Sequence, residues 1–166
     1  MTWIHGDWIE DEAGGWAFVP YVRQLFERAG WQPLARPAPS ASGDAMAYAT
    51  LLLNEFGGLT VGKSGAGVDC AANNLEFLQA PRPVAAHWVR RWPRLRTAVM
   101  LGRAHDTYID VLVDANGDFL LVTEIDERLY DFGNDFVRVA EILLRGLAWP
   151  RPVDVRACRQ GDARAA

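Results

Sequence analysis

The chain has 166 residues, half of them hydrophobic, and a formal net charge of −4. A chain of this length normally folds as one domain and buries roughly 70% of the surface of its unfolded state. No segment reaches the ~18 consecutive apolar residues of a membrane span, and the N-terminus lacks the basic segment and apolar core of a secretory signal. We therefore expect a cytoplasmic protein with a single domain over residues 18–149, between two tails at 1–17 and 150–166.

The first third of the chain predicts two helices joined by a proline- and serine-rich connector. Pro20 suits the first position of a helix that carries one apolar stripe and ends at Gly30. A second helix is predicted over residues 44–56, with Ser42 or Asp44 as its N-cap. The tail before the first helix is rich in tryptophan, and we expect its indoles to pack on the domain.

Residues 57–64, Gly-Gly-Leu-Thr-Val-Gly-Lys-Ser, match the phosphate-binding P-loop string. A P-loop follows a buried strand and opens into a helix. Here an apolar helix precedes the string and glycines follow it, so we expect Gly57 to end the helix in the left-handed conformation. A short strand at 59–61 and a flexible loop over 62–67 come next. This context disfavours a nucleotide-binding enzyme that acts through Lys63, and we keep that function as a third hypothesis behind the two given at the end of this subsection.

Downstream, residues 75–78 predict a strand, and Pro83 offers a start for a helix that runs to about Trp92. The last predicted helix begins near Asn134, a good N-cap residue, and ends at Gly146. The proline and arginine residues beyond it lead into the polar C-terminal tail.

The region 97–132 predicts an antiparallel meander, because short apolar runs alternate with turn residues. Residues 114–117, Asp-Ala-Asn-Gly, suit the turn of the central hairpin, since Asn and Gly tolerate the positive φ that such turns need. In the second strand alternate side chains share a face, and we expect one face to be core and Asp110 to lie on the exposed face. The predicted strands cover 98–101, 108–113, 119–123 and 129–132.

Charge is segregated along the chain. Residues 106–135, the acidic block, contain nine acidic residues and the single basic residue Arg128, whereas residues 82–103, the arginine block, contain six arginines and no acid. The two blocks either neutralise each other across the folded surface or form a polarised binding surface.

Metal and catalytic patterns are weak. Asp114, Asn116 and Asp118 match the first three ligand positions of an EF-hand loop, but Phe119 and Ile125 stand where the loop needs Gly and Glu. The three histidines are scattered, and the two cysteines lack a C-x-x-C partner, which predicts free thiols. We expect no metal, no cofactor and no catalytic residue.

The order of these features resembles the SUKH superfamily, and within it the third bacterial immunity-protein subfamily. The resemblance runs from about Val19 to Gly146. The chain departs from the family pattern at 99–102, which lacks an expected proline. The features that carry the resemblance are Ala-Gly-Trp at 29–31, the proline-rich connector, Phe-Gly-Gly-Leu at 56–59, the hairpin turn at 114–117, Phe-Gly-Asn-Asp at 132–135 and Leu-Arg-Gly at 144–146.

The resemblance implies an α+β fold with a small bent, mostly antiparallel sheet flanked by helices. It also implies an immunity protein that binds and neutralises a cognate toxin of a polymorphic or contact-dependent system, with no catalytic residue to carry over. Gly57, Gly58 and Gly117 look structural within the family. The alternative is a cytoplasmic regulatory or scaffold domain that binds a resident protein.

The acidic block suggests where a toxin would bind. Toxins that act on nucleic acid carry positive clefts, and clustered carboxylates speed association with such clefts. We expect no direct contact of this chain with nucleic acid or membrane. Trp88 and Trp92, four residues apart on the arginine-rich helix, are either core residues or partner contacts. The predicted acidic surface consists of Glu124, Asp126 and Glu127 after the third strand of the meander, with Asp110 and Asp131 on the exposed sheet face.

Overall fold

The computed structural model describes residues 15–154, which form an α+β fold with helices on both faces of an antiparallel sheet. The helices are α1 (Pro20–Arg28), α2 (Ala45–Phe56), α3 (Ala86–Arg91) and α4 (Phe136–Arg145), with a 3-10 helix at Pro93–Thr97. The strands are β1 (Thr60–Val61), β2 (Gly65–Ala66), β3 (Ala71–Ala72), β4 (Leu75–Pro83), β5 (Val99–Ala104), β6 (Ile109–Val113), β7 (Phe119–Thr123) and β8 (Leu129–Asp131).

The main sheet has the strand order β1-β4-β5-β6-β7-β8, and every neighbouring pair is antiparallel. The predicted meander is confirmed as β5 to β8. The predicted helix start at Pro83 is wrong, because β4 continues to this residue and pairs it with Val99. Proline is tolerated there because β1 pairs only with Leu75 and Glu76, so the outer edge of β4 needs no amide donor at Pro83.

The two faces of the sheet differ in their cover. The first face, which we call the aromatic face, packs against α1, α2 and α4 around Phe56, whose ring lies 5.1 Å from that of Phe136 and 5.4 Å from that of Trp16. Trp16 thus packs on the domain as expected of the tail, and the tryptophans before it lie outside the described residues. The opposite face, the α3 face, packs Leu112 and Leu120 against α3 and the 3-10 helix.

Because helices cover both faces of the sheet, the prediction that β6 has one solvent-exposed face is wrong. All five residues of β6 are buried, whereas the sequence predicts an exposed face that carries Asp110. The difference arises because Trp88 and Trp92 lie on this second face and form its core with Leu95. The core interpretation of the two tryptophans is confirmed.

The helix ends follow capping rules with shifts of one residue. Asp44 caps α2 by accepting the backbone N–H groups of its first turn. The prediction that Gly57 is left-handed is wrong, because Gly57 has a negative φ and the next residue, Gly58, has a φ of 78°. Gly57 is still constrained, because a Cβ there would lie 2.4 Å from the Leu53 carbonyl oxygen. Asp135, and not Asn134, caps α4.

The P-loop string has the backbone order of a turn between a helix and a strand. Residues 57–64 follow directly on α2 and contain β1, and the strand β2, not a helix, follows Ser64. The predicted flexible loop at 62–67 is wrong, because β2 pairs with β3 in a hairpin. This hairpin lies on the last turn of α4, and the backbone N–H groups of Val68, Asp69, Cys70 and Asn73 donate to the carbonyls of Arg145, Gly146, Gly146 and Leu143 at 2.8–3.0 Å.

Among residues 15–154, no helix is both long enough and apolar enough to cross a bilayer.

Candidate functional site

The turn between β7 and β8 projects an apolar side chain between carboxylates. Ile125 is 78% exposed, and Glu124, Asp126 and Glu127 on either side of it are also exposed. The Thr123 hydroxyl fixes the turn by donating to a carboxylate oxygen of Asp126 and accepting the Arg128 backbone N–H at 3.2 Å. Ile125 is therefore presented by an ordered hairpin.

The loop between β5 and β6 lies beside this turn. The Glu124 backbone N–H donates to the Tyr108 carbonyl oxygen at 2.9 Å, and the Tyr108 side chain is 50% exposed. The loop has three consecutive non-glycine residues with positive φ, from His105 to Thr107. Such strain persists only where neighbouring groups impose it. Here the buried Asn74 side chain accepts the Asp106 backbone N–H at 2.7 Å.

Tyr108, Glu124, Ile125, Asp126 and Glu127 together form what we call the tip surface, at one end of the sheet. Two of its residues are large and exposed, and three carry carboxylates. An exposed apolar group within a charged rim is the usual composition of a protein-binding surface. Ile125 and Tyr108 were missed by sequence reasoning, although the run Glu-Ile-Asp-Glu in the acidic block was a usable signal for Ile125.

Asp110 lies away from the tip surface. It is 6% exposed on the α3 face, where the Trp88 indole N–H donates to one carboxylate oxygen at 3.1 Å. The other oxygen lies 3.5 Å from the Arg103 guanidinium. Burial raises the pKa of Asp110, and the contacts with Arg103 and Trp88 offset part of this rise. The placement of Asp110 on an exposed partner surface is therefore corrected.

Asp131 is also committed to an internal contact. Its carboxylate accepts a guanidinium N–H of Arg94 at 2.6 Å, and the same guanidinium lies 3.2 Å from Asp118 and 3.8 Å from Asp114. With the exposed pair of Arg91 and Glu127 at 3.5 Å, these contacts join the arginine block to the acidic block. The neutralising interpretation of the two blocks is therefore confirmed for these residues. Within the acidic block the tip-surface carboxylates Glu124, Asp126 and Glu127 stay exposed, as do Asp106 and Asp135.

A groove lies beneath the tip surface, between α3, the β7–β8 turn and residues 152–154. We call it the α3 groove; it is open to solvent and has a volume of about 510 Å³. Its rim holds the ion pairs Arg91–Glu127 and Arg128–Asp126. Trp92 lines it, and although only 2% exposed its indole N–H has no hydrogen-bond acceptor within residues 15–154.

A second cleft of about 310 Å³ brings Cys70 and His105 into one lining with Tyr130 and Trp149. Burial and the neighbouring Asp69 carboxylate raise the pKa of the Cys70 thiol. A reactive cysteine needs the opposite shift, toward the thiolate. The surroundings of Cys70 thus disfavour a nucleophilic role.

Within the described part of the chain, no group of three or more His, Cys, Asp or Glu side chains is placed to hold a metal ion. The three aspartates around the β6–β7 turn converge on the Arg94 guanidinium. Comparison with known proteins finds no matching family model, no matching curated protein and no matching solved structure.

Proposed function

We propose that this chain is a cytoplasmic immunity protein of the SUKH type, which neutralises a cognate bacterial toxin by stoichiometric binding. The order of its glycine and turn motifs supports this proposal, since the fold that the resemblance implies is the α+β fold observed. The third subfamily of bacterial immunity proteins is the branch that the motif order favours.

The observation that carries the proposal is the exposure of Ile125 between three carboxylates on a fixed turn. A soluble chain gains no folding energy from a 78% exposed isoleucine. The same side chain can anchor a partner by filling a pocket, while the carboxylates steer a basic surface toward it. A toxin that acts on nucleic acid presents such a basic surface around its phosphate-binding cleft.

The test begins with the reading frame adjacent to the one that encodes this chain. We expect it to encode a secreted protein with a C-terminal toxin domain that is lethal alone and tolerated when this chain is co-expressed. Binding of the two purified proteins is then measured for three variants. Ile125→Ala should weaken affinity about tenfold or more, as truncation of an anchor does. Glu124→Gln should slow association at low salt, and the matched control Glu27→Gln on α1 should not.

Two outcomes would each contradict a part of the proposal. One is a toxin that is neutralised equally by all three variants, which leaves the immunity function standing but removes the tip surface as its interface. The other is the capture of a resident protein, with the same dependence on Ile125, from cells that lack any toxin gene, which would favour the regulatory or scaffold hypothesis.

A further inference from the structure

We propose that the α3 groove receives an extended segment of the partner protein that carries an arginine or lysine side chain. This inference rests on the proposed function, since it takes the partner to be the toxin. It adds a second contact below the tip surface and specifies the chemistry of the segment that enters: a basic side chain together with a backbone carbonyl oxygen.

The first argument is the indole N–H of Trp92. Trp88, one turn earlier on α3, donates its N–H to Asp110 at 3.1 Å, whereas the equally buried Trp92 finds no acceptor within residues 15–154. A buried donor without an acceptor costs free energy, and native structures rarely keep one without a reason. Trp92 also lines the groove, and a carbonyl oxygen of an incoming segment becomes the missing acceptor once it displaces the side chains that cover this buried N–H.

The second argument is the charge of the rim. Asp126 and Glu127 are paired with Arg128 and Arg91 at 3.1 and 3.5 Å, but the paired side chains are between 42% and 57% exposed. Ion pairs this exposed are weak and exchange partners readily. Asp154 also lines the groove, so the lining holds three carboxylates and two arginines, a balance that favours an incoming ammonium or guanidinium group.

The third argument is the fixed shape of the groove. The wall opposite α3 is held to the sheet, because the Val153 backbone N–H donates to the Leu129 carbonyl oxygen at 2.8 Å and Pro152 bridges to Tyr130. The volume of about 510 Å³ lies within the range of sites that bind small ligands and short peptide units. A preformed groove also lowers the ordering cost of binding.

The experiment uses the full chain and a defined probe, acetyl-arginine N-methylamide, which carries one basic side chain and two carbonyl groups. Its neutral match is acetyl-citrulline N-methylamide. The indole N–H signals of the 15N-labelled protein are followed during titration. We expect a saturable shift of the Trp92 signal with the arginine probe and none with citrulline at equal concentration. The Trp88 signal serves as the internal reference, because its N–H is already bonded to Asp110.

Variants locate the probe. The double variant Asp126→Asn and Glu127→Gln should weaken binding of the arginine probe roughly fivefold, as the loss of two exposed charge contacts would. The control Glu27→Gln should leave it unchanged. A Trp92 signal that does not respond, or that responds equally to citrulline, overturns the proposal.

Two further outcomes separate the possible occupants. A probe that binds only a variant ending at Asp154 would make residues 155–166 of the chain itself the occupant, and would overturn the proposal. Failure of the groove and failure of the proposed function are also distinguishable. Toxin binding that depends on Ile125 but leaves the Trp92 signal unchanged removes the groove alone. Binding of the arginine probe at Trp92, with no toxin found to bind the chain, leaves the groove as a basic-segment site and removes the toxin as its occupant.

Discussion

Two acidic turns at opposite ends of the same sheet use their carboxylates in different ways. In the β6–β7 turn Asp114 is 4% exposed, and one of its oxygens accepts the backbone N–H groups of Asn116 and Asp118 at 2.8 and 3.0 Å. Arg94 closes this turn from the 3-10 helix. In the β7–β8 turn, residues 124–127 are exposed around Ile125. Both turns have arginine partners, but Arg94 pairs with carboxylates that include the buried Asp114, whereas Arg91 and Arg128 pair with exposed ones. The exposure of the ion pairs, and not the charge along the chain, therefore distinguishes the candidate binding surface.

The largest expected effect comes from removing Arg94. Arg94→Met keeps the aliphatic stem but leaves Asp114, Asp118 and Asp131 facing one another, and we expect the free energy of unfolding at neutral pH to fall by about 2–3 kcal/mol. Urea denaturation measures it. Arg96→Met, an exposed position on the same 3-10 helix, should change stability by less than about 0.5 kcal/mol. Equal effects of the two substitutions would show that Arg94 does not hold the turn.

A smaller loss is expected when the acceptor inside the turn is removed. Asp114→Ala leaves the two backbone N–H groups of the turn without their acceptor and Arg94 with one carboxylate fewer, which should cost about 1–2 kcal/mol. Asn116→Ala, at an exposed position of the same turn, is the matched control for thermal denaturation. If Asn116→Ala lowers stability as much as Asp114→Ala does, the Asp114 carboxylate is not the group that holds the turn.

Asp110 provides a test that depends on pH. Burial raises its pKa in the folded protein, so the folded state binds the proton more readily than the unfolded state. Its contribution to stability is therefore fully present below the unfolded pKa and is lost as the pH rises through the folded pKa. Asp110→Asn keeps an acceptor for Trp88 and removes this loss.

We therefore expect Asp110→Asn to gain stability relative to the native chain as the pH rises through that window. Urea denaturation at a series of pH values from acid to neutral measures the difference between the two proteins. A difference that stays constant with pH would mean that the carboxylate has the same pKa in both states.

The smallest effect on stability is expected at the tip surface. Ile125→Ser should change the free energy of unfolding by less than about 0.5 kcal/mol, because a side chain that is 78% exposed has little buried area to lose. Leu120→Ser, at a fully buried position of the neighbouring strand, is the contrasting control and should prevent stable folding. A marked loss of stability in Ile125→Ser would place this residue in the folding core and remove it as a partner anchor.

Periodicity and cap residues predicted the helices and the meander because those signals are local. The stripe of α1, the cap Asp44 and the turn at Gly117, where φ is 86°, need no knowledge of the rest of the chain. Gly117 is structural in a second way, since a Cβ there would lie 2.6 Å from the Cβ of Ala41.

The errors arose where distant segments meet. Asp110 was placed on a solvent face because β6 alone does not reveal that α3 covers it. The β2–β3 hairpin has no strand propensity in its Gly-Ala and Ala-Ala pairs, and it forms where its amides meet the last carbonyls of α4. Of the candidate site, the three carboxylates were predictable from the acidic run, whereas the α3 groove requires residues from three separated segments.

The position of that hairpin also determines the electric field around the string that spells a P-loop. Nucleotide-binding loops place phosphate at the positive pole of a helix. Here both helix ends beside the string are C-terminal: α2 ends at Phe56 directly before it, and α4 ends close to Gly62, where a Cβ would lie 2.8 Å from the Leu144 side chain. Helix C-termini carry partial negative charge, so the letters match the motif while the helix ends offer an anion the opposite sign to that of a P-loop.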